Sequence, residues 1–258
     1  MGQLIPSLYN THFLSAAQSG DVAEMEKYLA LGASINTHDA ADNTALLLAA
    51  TKGDEKTLRF CFDHNAARDW RNDIGNTALL AAINGGQEAA AQLLLKEKFN
   101  AAAKNHADDN AMTLAATRGL FTLLPLLQAQ GLDIDAADGG GHTALMRVLY
   151  ADNARAGIEM LVNLGADINA RDKLAQTPLI HAARAGKAEL AGLLLKLGAK
   201  ADLTDSRGVS AADVARQWHN DDMVAEFKAA FGRYDVPQFS KGTRSAMTPL
   251  HTVRFRKP

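Results

Sequence analysis

The most informative stretch of this chain is Thr177-Pro178-Leu179-Ile180-His181-Ala182-Ala183-Arg184-Ala185-Gly186. Thr177 is a residue type that caps helix starts, and Pro178 stands at the first helical position, where its missing N–H costs no hydrogen bond. Gly186 can adopt the left-handed conformation in which helices end. Between these signals, the alanine pair allows a neighbouring helix to approach closely. The stretch therefore predicts one short helix that packs in a layer.

The same pattern recurs along the chain at an almost constant spacing. The residues that match Thr177 are separated by 33, 33, 33, 33, 34 and 33 positions: Thr11, Thr44, Thr77, Asn110, Thr143, Thr177 and Ser210. All seven are Ser, Thr or Asn, so we expect each to cap a helix. A buried apolar side chain is expected two residues after the cap: Phe13, Leu46, Leu79, Met112, Leu145 and Leu179. A fixed period of this length is typical of a stacked solenoid.

A second apolar run in each copy predicts a second helix, antiparallel to the first. The run is clearest in Leu193-Leu194-Leu195, and Gly198-Ala199 marks its end. A turn-forming acid or amide then precedes each new copy: Asp39, Asn72, Asn105, Asp138, Asp172 and Asp205. Each unit is therefore predicted to be a helix, a turn, a second helix and a hairpin-like finger.

Residues 177–186 and the stretch Leu193-Leu194-Leu195-Lys196-Leu197-Gly198-Ala199 resemble the ankyrin repeat, over roughly residues 7–231. The resemblance implies an all-α repeat solenoid of about seven stacked repeats, starting near residues 11, 44, 77, 110, 143, 177 and 210, with capping repeats at both ends. It also implies a concave binding face formed by fingers and first helices, without catalytic residues. We predict an N-terminal lead-in (1–10), the array (11–231) and a basic C-terminal tail (232–258).

Charge and composition exclude several functions. The tail contains six Lys or Arg against one acid, so a net charge of −2 leaves about −7 on the remainder. An acidic body argues against nucleic acid as a partner. The single cysteine, Cys61, excludes an internal disulfide and is predicted to be a buried, inert thiol. No apolar stretch is long enough to span a membrane. No secretory signal is visible, so we expect a cytoplasmic protein, or a periplasmic one if a signal has been removed.

Two copies depart from the pattern. Pro125 falls within the second apolar run of repeat four, where it is expected to kink or shorten the helix. Repeat five contains one extra residue within 150–157, and Asp152 replaces the turning glycine. Sequence drift and a shaped docking notch both explain these departures.

Motifs for chemistry are weak. Gly139-Gly140-Gly141 lacks the Lys-Ser/Thr that follows in a phosphate-binding loop. His106, Asp108 and Asp109 lie on one predicted finger, without a second ligand pair. The sequence therefore predicts no metal site, no cofactor and no catalytic residues, and the protein is predicted not to be an enzyme.

The expected binding positions are finger tips and the exposed ends of first helices. Aromatic and arginine side chains are favoured as interface anchors, above all Trp70, Arg118, Tyr150, Arg184 and Trp218. The full predicted set is Lys52, Trp70, Arg71, Asp73, Arg118, His142, Tyr150, Lys173, Arg184, Arg207 and Trp218.

The predicted function is non-enzymatic protein binding through the concave face, by a chain that is monomeric when free. A preformed surface lowers the ordering cost of association. One more specific hypothesis is an inhibitor or self-protection protein that occludes the active site of a partner enzyme, as in a small stand-alone bacterial ankyrin protein. Another is an adaptor anchored to a nucleic acid or membrane through the basic tail, residues 232–258.

Overall fold

The structure, a computed structural model, describes residues 6–231. In this range fourteen α-helices alternate between two layers. The first helices of the repeats are α1 (Pro6–Ser19), α3 (Ala45–Lys52), α5 (Ala78–Asn84), α7 (Ala111–Arg118), α9 (Ala144–Arg147), α11 (Pro178–Arg184) and α13 (Ala211–Gln217). The second helices are α2 (Val22–Ala30), α4 (Glu55–Asp63), α6 (Glu88–Lys96), α8 (Leu123–Ala129), α10 (Ala154–Asn163), α12 (Ala188–Lys196) and α14 (Asp221–Phe231). The predicted all-α ankyrin solenoid is confirmed.

Capping residues begin most of the first helices, as predicted. The side chains of Thr44, Thr77, Asn110, Thr177 and Ser210 each accept a hydrogen bond from the backbone N–H three residues later. Thr143 holds the same position, but its hydroxyl makes no such bond. The prediction was wrong for Thr11, which lies inside α1. That helix begins five residues earlier, at Pro6, within the predicted lead-in.

The core is a continuous layer between stacked helices. The apolar residues two positions after each cap are buried, from Phe13 in α1 to Leu179 in α11. First helices pack on their neighbours in series, and each also contacts the second helix of its own repeat. Gly53 shows how the turn between the two helices is made, because it ends α3 with φ +77°, a conformation that other residues adopt at a cost. In a solenoid each repeat contacts only its neighbours, so the burial repeated at each interface between repeats holds the array together.

The fingers are tight turns, each closed by a backbone hydrogen bond. A backbone hydrogen bond of 2.9–3.1 Å closes each one, from the N–H of the turn residue to the carbonyl four positions later. The six closed turns are 39–43, 72–76, 105–109, 138–142, 172–176 and 205–209, here called fingers 1 to 6. Three of them also form an antiparallel bridge with the following cap residue, as between His38 and Thr44. Adjacent fingers are linked through their tips, because the His106 N–H donates to the Ile74 carbonyl.

The two departures lie side by side in the structure. Pro125 occupies the third position of α8, where an N–H has no partner within the helix, so the helix is shortened to seven residues. In repeat five, α9 has only four residues and continues as the 3₁₀ turn Val148–Tyr150. Gly157 lies where α10 meets this region, and a Cβ there would stand 2.3 Å from Val148 Cγ2 and 2.6 Å from the Phe121 ring. The irregular repeats therefore pack closely against each other.

Candidate functional site

The predicted interface residues lie where expected along the chain, at finger tips and near the ends of first helices. Most of their side chains are exposed, and Trp70, His142 and Arg184 are half-buried. Tyr150 and Trp218 are the most prominent aromatics, with 56% and 63% of their surfaces exposed. Their role in binding stays a prediction.

Several of the predicted anchors are used inside the array. The Trp70 indole N–H donates to the Asp42 carbonyl at 2.8 Å, and its ring lies 5.2 Å from that of His38. Arg71 donates to the carbonyls of Gly75 and Lys104, at 2.9 and 2.6 Å, and so joins two fingers. The polar atoms of both side chains form hydrogen bonds that stabilise the stack. A partner can therefore contact chiefly the exposed remainder of each side chain.

The other basic residues follow the same pattern. Arg118 donates to the Asn84 side chain at 2.6 Å. Lys173 donates to the Gly139 carbonyl at 2.5 Å, and Lys52 to the Gln18 carbonyl. Each of these contacts reaches back by 34 residues, to the preceding repeat. Asp73 is exposed.

A shallow groove of about 290 Å³ runs between fingers and helix ends in repeats two and three. Ile74, at the tip of finger 2, lines it together with Thr51 and Lys52 at the end of α3. The amides of Asn43, Asn72, Asn76 and Asn84 line it as well. This groove places finger tips and first-helix ends on one face.

Sequence reasoning missed one apolar residue on this face, Ile74, and left a second, the finger-tip residue Leu174, out of the predicted binding set. Ile74 and Leu174 each stand two positions after the finger's turn residue and are 51% and 57% exposed. The equivalent residues in the other fingers are Ala41, Ala107, Gly140 and Arg207. Comparison of this tip position across the repeats identifies both residues, because the other fingers have only Ala, Gly or Arg there.

Fingers 4 to 6 share a charged base that the sequence did not show. In each finger one oxygen of the aspartate accepts two backbone N–H groups, as Asp172 Oδ1 does from Leu174 and Gln176, both at 2.8 Å. The second oxygen faces a basic side chain. The pairs are Asp138 with Arg147, Asp172 with His181 at 2.9 Å, and Asp205 with Arg184 and Arg207 at 2.8 and 3.3 Å.

His142 connects two of these aspartates. Its Nδ1 lies 3.1 Å from Asp138 Oδ1, and its Nε2 lies 3.8 Å from Asp172 Oδ2. The rings of His142 and His181 meet edge to face, 5.3 Å between centroids. In the described part of the chain, His142, Asp172 and His181 form the one group of three whose ligand atoms all lie within 4.8 Å of one another. The predicted finger set of His106, Asp108 and Asp109 forms no such group.

The electrostatics of this region follow from burial and hydrogen bonding. Burial alone raises the pKa of Asp205, but N–H donation from Val209 and Arg207, with the Arg207 guanidinium, outweighs it and holds the pKa below its ordinary value. Burial lowers the pKa of His181, and its bond to Asp172 offsets this only in part. His181 is therefore neutral at pH 7.

Cys61 is fully buried, and burial raises its pKa to about 12. A thiol with so high a pKa is almost wholly protonated near neutral pH, so it is a poor nucleophile.

Two ankyrin-repeat family models match this chain, "Ankyrin repeats (3 copies)" over residues 13–108 and "Ankyrin repeats (many copies)" over residues 161–215. The chain belongs to the ankyrin repeat family. Ankyrin repeats generally mediate protein–protein interactions, usually without catalysis. In the part of the chain that the structure covers, no helix is both long enough and apolar enough to cross a membrane.

Similar ankyrin repeat proteins differ widely in kind. The human cyclin-dependent kinase 4 inhibitor B is 30% identical over 125 residues, 48% of this chain and 89% of the inhibitor. The putative ankyrin repeat protein YahD of Escherichia coli strain K12 is 25% identical over 72% of this chain and 96% of its own length. The human ASB11 ankyrin repeat domain superimposes with a TM-score of 0.73 at 22% identity, covering 83% of this chain and 96% of that domain. Three further relatives, 31–35% identical, are matched over only 16%, 45% and 43% of their lengths.

Proposed function

We propose that this chain is a non-enzymatic binding protein that holds a protein partner on the face formed by finger tips and first-helix ends. One observation carries the proposal: large apolar side chains are exposed there at spaced positions, Ile74, Tyr150, Leu174 and Trp218. Exposed apolar and aromatic residues surrounded by polar groups are the usual anchors of protein interfaces.

The polar surroundings support the same function. The groove beside Ile74 is lined by asparagine amides, which can both donate and accept hydrogen bonds. Contacts within the array already orient many of the basic side chains on this face, as Arg118 is by Asn84. A surface with few free rotamers loses little entropy when it binds. Affinity is therefore expected from a preformed face rather than from folding on contact.

The experiment uses affinity capture from the lysate of the source organism, with mass spectrometry. The face variant is Ile74→Ser/Tyr150→Ser/Leu174→Ser. The matched control, Leu31→Ser/Leu126→Ser, changes two residues that are 50% and 42% exposed beyond α2 and in α8, on the layer of second helices. We expect a partner that wild type and control retain and the face variant loses. Equal retention by both variants would reject this face as the binding site.

Trp70, Arg118 and Arg184 are poorer substitutions for this test. Each makes a hydrogen bond to another repeat or finger, at 2.8, 2.6 and 2.8 Å. Loss of binding in such variants could not be separated from loss of stability.

A more specific proposal is that the partner is an enzyme whose active site the array occludes. The kinase inhibitor, which matches this chain over 89% of its length, supports this class of function. The test is an activity assay of the captured protein in the presence of increasing concentrations of this chain. We expect inhibition that saturates at one array per enzyme and is absent with the face variant. If the enzyme keeps full activity when it is saturated with this chain, the chain binds without inhibiting and the proposal of inhibition is rejected.

The adaptor hypothesis concerns residues 232–258, which lie outside the described residues. Cytoplasmic location and a monomeric free state also stay predictions. Deletion of residues 232–258 tests the adaptor directly, because unchanged localisation of the shortened chain would reject it.

A further inference from the structure

We propose that His142, Asp172 and His181 form a binding site for a divalent transition metal, with Zn²⁺ as the best fit. The three residues come from finger 4, finger 5 and helix α11, and their ligand atoms lie within 4.8 Å of one another. Two imidazole nitrogens and one carboxylate oxygen are a ligand set that zinc prefers. The site goes beyond protein binding and does not depend on it.

The carboxylate is already fixed with one oxygen free for a metal. The N–H groups of Leu174 and Gln176 both donate to Oδ1 of Asp172 at 2.8 Å, which sets the plane of the group. Oδ2 then faces Nε2 of His181 at 2.9 Å and Nε2 of His142 at 3.8 Å. One oxygen and two nitrogens therefore lie within 4.8 Å of one another.

His142 is oriented as metal-binding histidines usually are. Its Nδ1 lies 3.1 Å from Asp138 Oδ1, so the Nδ1–H can donate to this carboxylate and leave Nε2 unprotonated toward Asp172. Asp138 is held in turn by Arg147 and by the Gly140 N–H, the latter at 2.8 Å. A carboxylate behind a ligating imidazole fixes the ring and raises its basicity. Asp138 is thus a positioning residue for the proposed site.

The distances require a small closure. Zinc binds imidazole nitrogen and carboxylate oxygen at about 2.0–2.2 Å, which places tetrahedral ligand atoms roughly 3.3 Å apart. Two of the three separations, 2.9 and 3.8 Å, are close to this value. His142 has 28% of its side chain exposed, so it can rotate and also gives an ion access. When the metal binds, Nε2 of His181 gives up its hydrogen bond to Asp172 and coordinates the ion. The proton of Nε2 is then replaced by one on Nδ1 of the same ring.

Two arginines near this site pair with other aspartates. Arg147 pairs with Asp138, and Arg184 pairs with Asp205 at 2.8 Å. Asp172 therefore contributes an acid that no arginine neutralises within the described contacts. Three protein ligands leave a fourth position for water.

The experiment uses the full chain without a histidine tag, stripped with a chelator and titrated with Zn²⁺ by calorimetry. We expect one ion per chain and a higher melting temperature, because a ligand that binds only the folded state stabilises it. His142→Ala should weaken binding at least about tenfold, the effect of losing even an outer partner of a ligand. His106→Ala is the matched control, since His106 is also a finger histidine but belongs to no group of three ligands among the described residues.

A spectroscopic measurement on wild type keeps the test independent of how the variants fold. Zinc-edge X-ray absorption should show two imidazoles and one carboxylate at the distances above, and Co²⁺ should give the intense visible bands of a four-coordinate ion. The absence of one-to-one binding would overturn the proposal, as would full binding by His142→Ala. A spectrum with a single imidazole would instead assign the ion to a surface histidine, such as His38 beside Asp42 or His64 beside Glu26, and would also overturn it.

Discussion

Fingers 2 and 3 and fingers 4 to 6 have the same backbone turn but different chemistry at the base. In the first group, amides bond to amides across repeats: Asn72 donates to Asn43 at 3.0 Å, and Asn105 donates to Asn76 at 3.2 Å. In the second group, aspartates bond to arginine or histidine. We call these the amide half and the charged half. One backbone shape is thus stabilised by amide–amide hydrogen bonds in one half and by side-chain hydrogen bonds to a carboxylate in the other.

The difference predicts unequal costs for removing a finger's base residue. The Asp205 side chain is 1% exposed, accepts two backbone N–H groups and pairs with Arg184 and Arg207. Asp205→Ala removes all of these contacts. Leaving buried donors unpaired costs about 1–3 kcal/mol, and charged partners add to it. We expect a loss of about 3 kcal/mol in the free energy of unfolding, measured by urea denaturation.

The matched control is Asn72→Ala in the amide half. Asn72 accepts one backbone N–H, from Asn76, and donates to one amide, Asn43. Neutral hydrogen bonds contribute about 0.5–1.5 kcal/mol each, so the expected loss is about 1–2 kcal/mol. Equal losses in the two variants would show that charge at the base adds no stability. Because long repeat arrays can unfold in parts, hydrogen exchange of each finger should accompany denaturation.

The two halves meet at the irregular repeats four and five, and Gly157 tests that junction. A Cβ at this position would overlap Val148 and the Phe121 ring, and Val148 is fully buried, so it has little room to move. Overpacking typically costs about 1–3 kcal/mol, so we expect Gly157→Ala to lose about 2 kcal/mol in thermal or urea unfolding.

Gly192→Ala is the control for that substitution, because Gly192 also lies in a second helix. A Cβ there meets only the end of the Glu226 side chain, which can swing away. Alanine is the better helix former by about 1 kcal/mol, so this variant should be as stable as wild type or more stable. A similar loss of unfolding free energy in both variants would mean that alanine destabilises any second helix, and that packing at the junction is not the cause.

Acid should weaken the charged half through Asp205. Its pKa in the folded protein lies below the ordinary value, so its stabilisation is complete above the unfolded pKa of about 3.9 and is lost as the pH falls through the folded pKa. Asp205→Asn keeps the acceptor oxygen but removes the charge. We expect wild type to be about 1–2 kcal/mol more stable than this variant at pH 7, as for hydrogen bonds to charged groups. The difference should shrink below about pH 4.

That experiment is an unfolding series from pH 2 to pH 7 on both proteins. Other acids also titrate in this range, including Asp39, whose pKa is likewise lowered. Subtraction of the two curves isolates Asp205. A difference that stays constant with pH would mean that the carboxylate charge does not contribute.

Much of the fold could be predicted from the sequence, because caps, buried leucines and turning glycines repeat at positions where packing permits few residue types. Thr11 was misplaced as a cap because its helix begins at Pro6, and the spacing of the repeats does not show that start. The charged half could not be predicted in the same way. Asp172, His142 and His181 lie up to 39 residues apart, and only the stacking of fingers on helices brings them together. The internal contact of Trp70 could not be predicted either, because the sequence does not show that Asp42 accepts its N–H.

The smallest effect should come from placing an acid in the amide half. Asn72→Asp keeps the oxygen that accepts from the Asn76 N–H, but it replaces the N–H₂ that donates to Asn43 Oδ1 with a second oxygen. Two acceptors then face each other, and no arginine pairs with the Asn72 side chain within the described contacts. We expect a loss of about 1 kcal/mol at pH 7, the size of one hydrogen bond.

The pH dependence of that loss separates the two halves most sharply. At low pH the new carboxyl is protonated and can donate to Asn43, so the penalty should decrease as the pH falls, whereas the contribution of Asp205 disappears over the same range. The measurement is the difference in unfolding free energy between Asn72→Asp and wild type from pH 2 to pH 7. A penalty that grows in acid would mean that a cation stabilises an acid at this position. The amide half would then differ from the charged half in sequence but not in electrostatic environment.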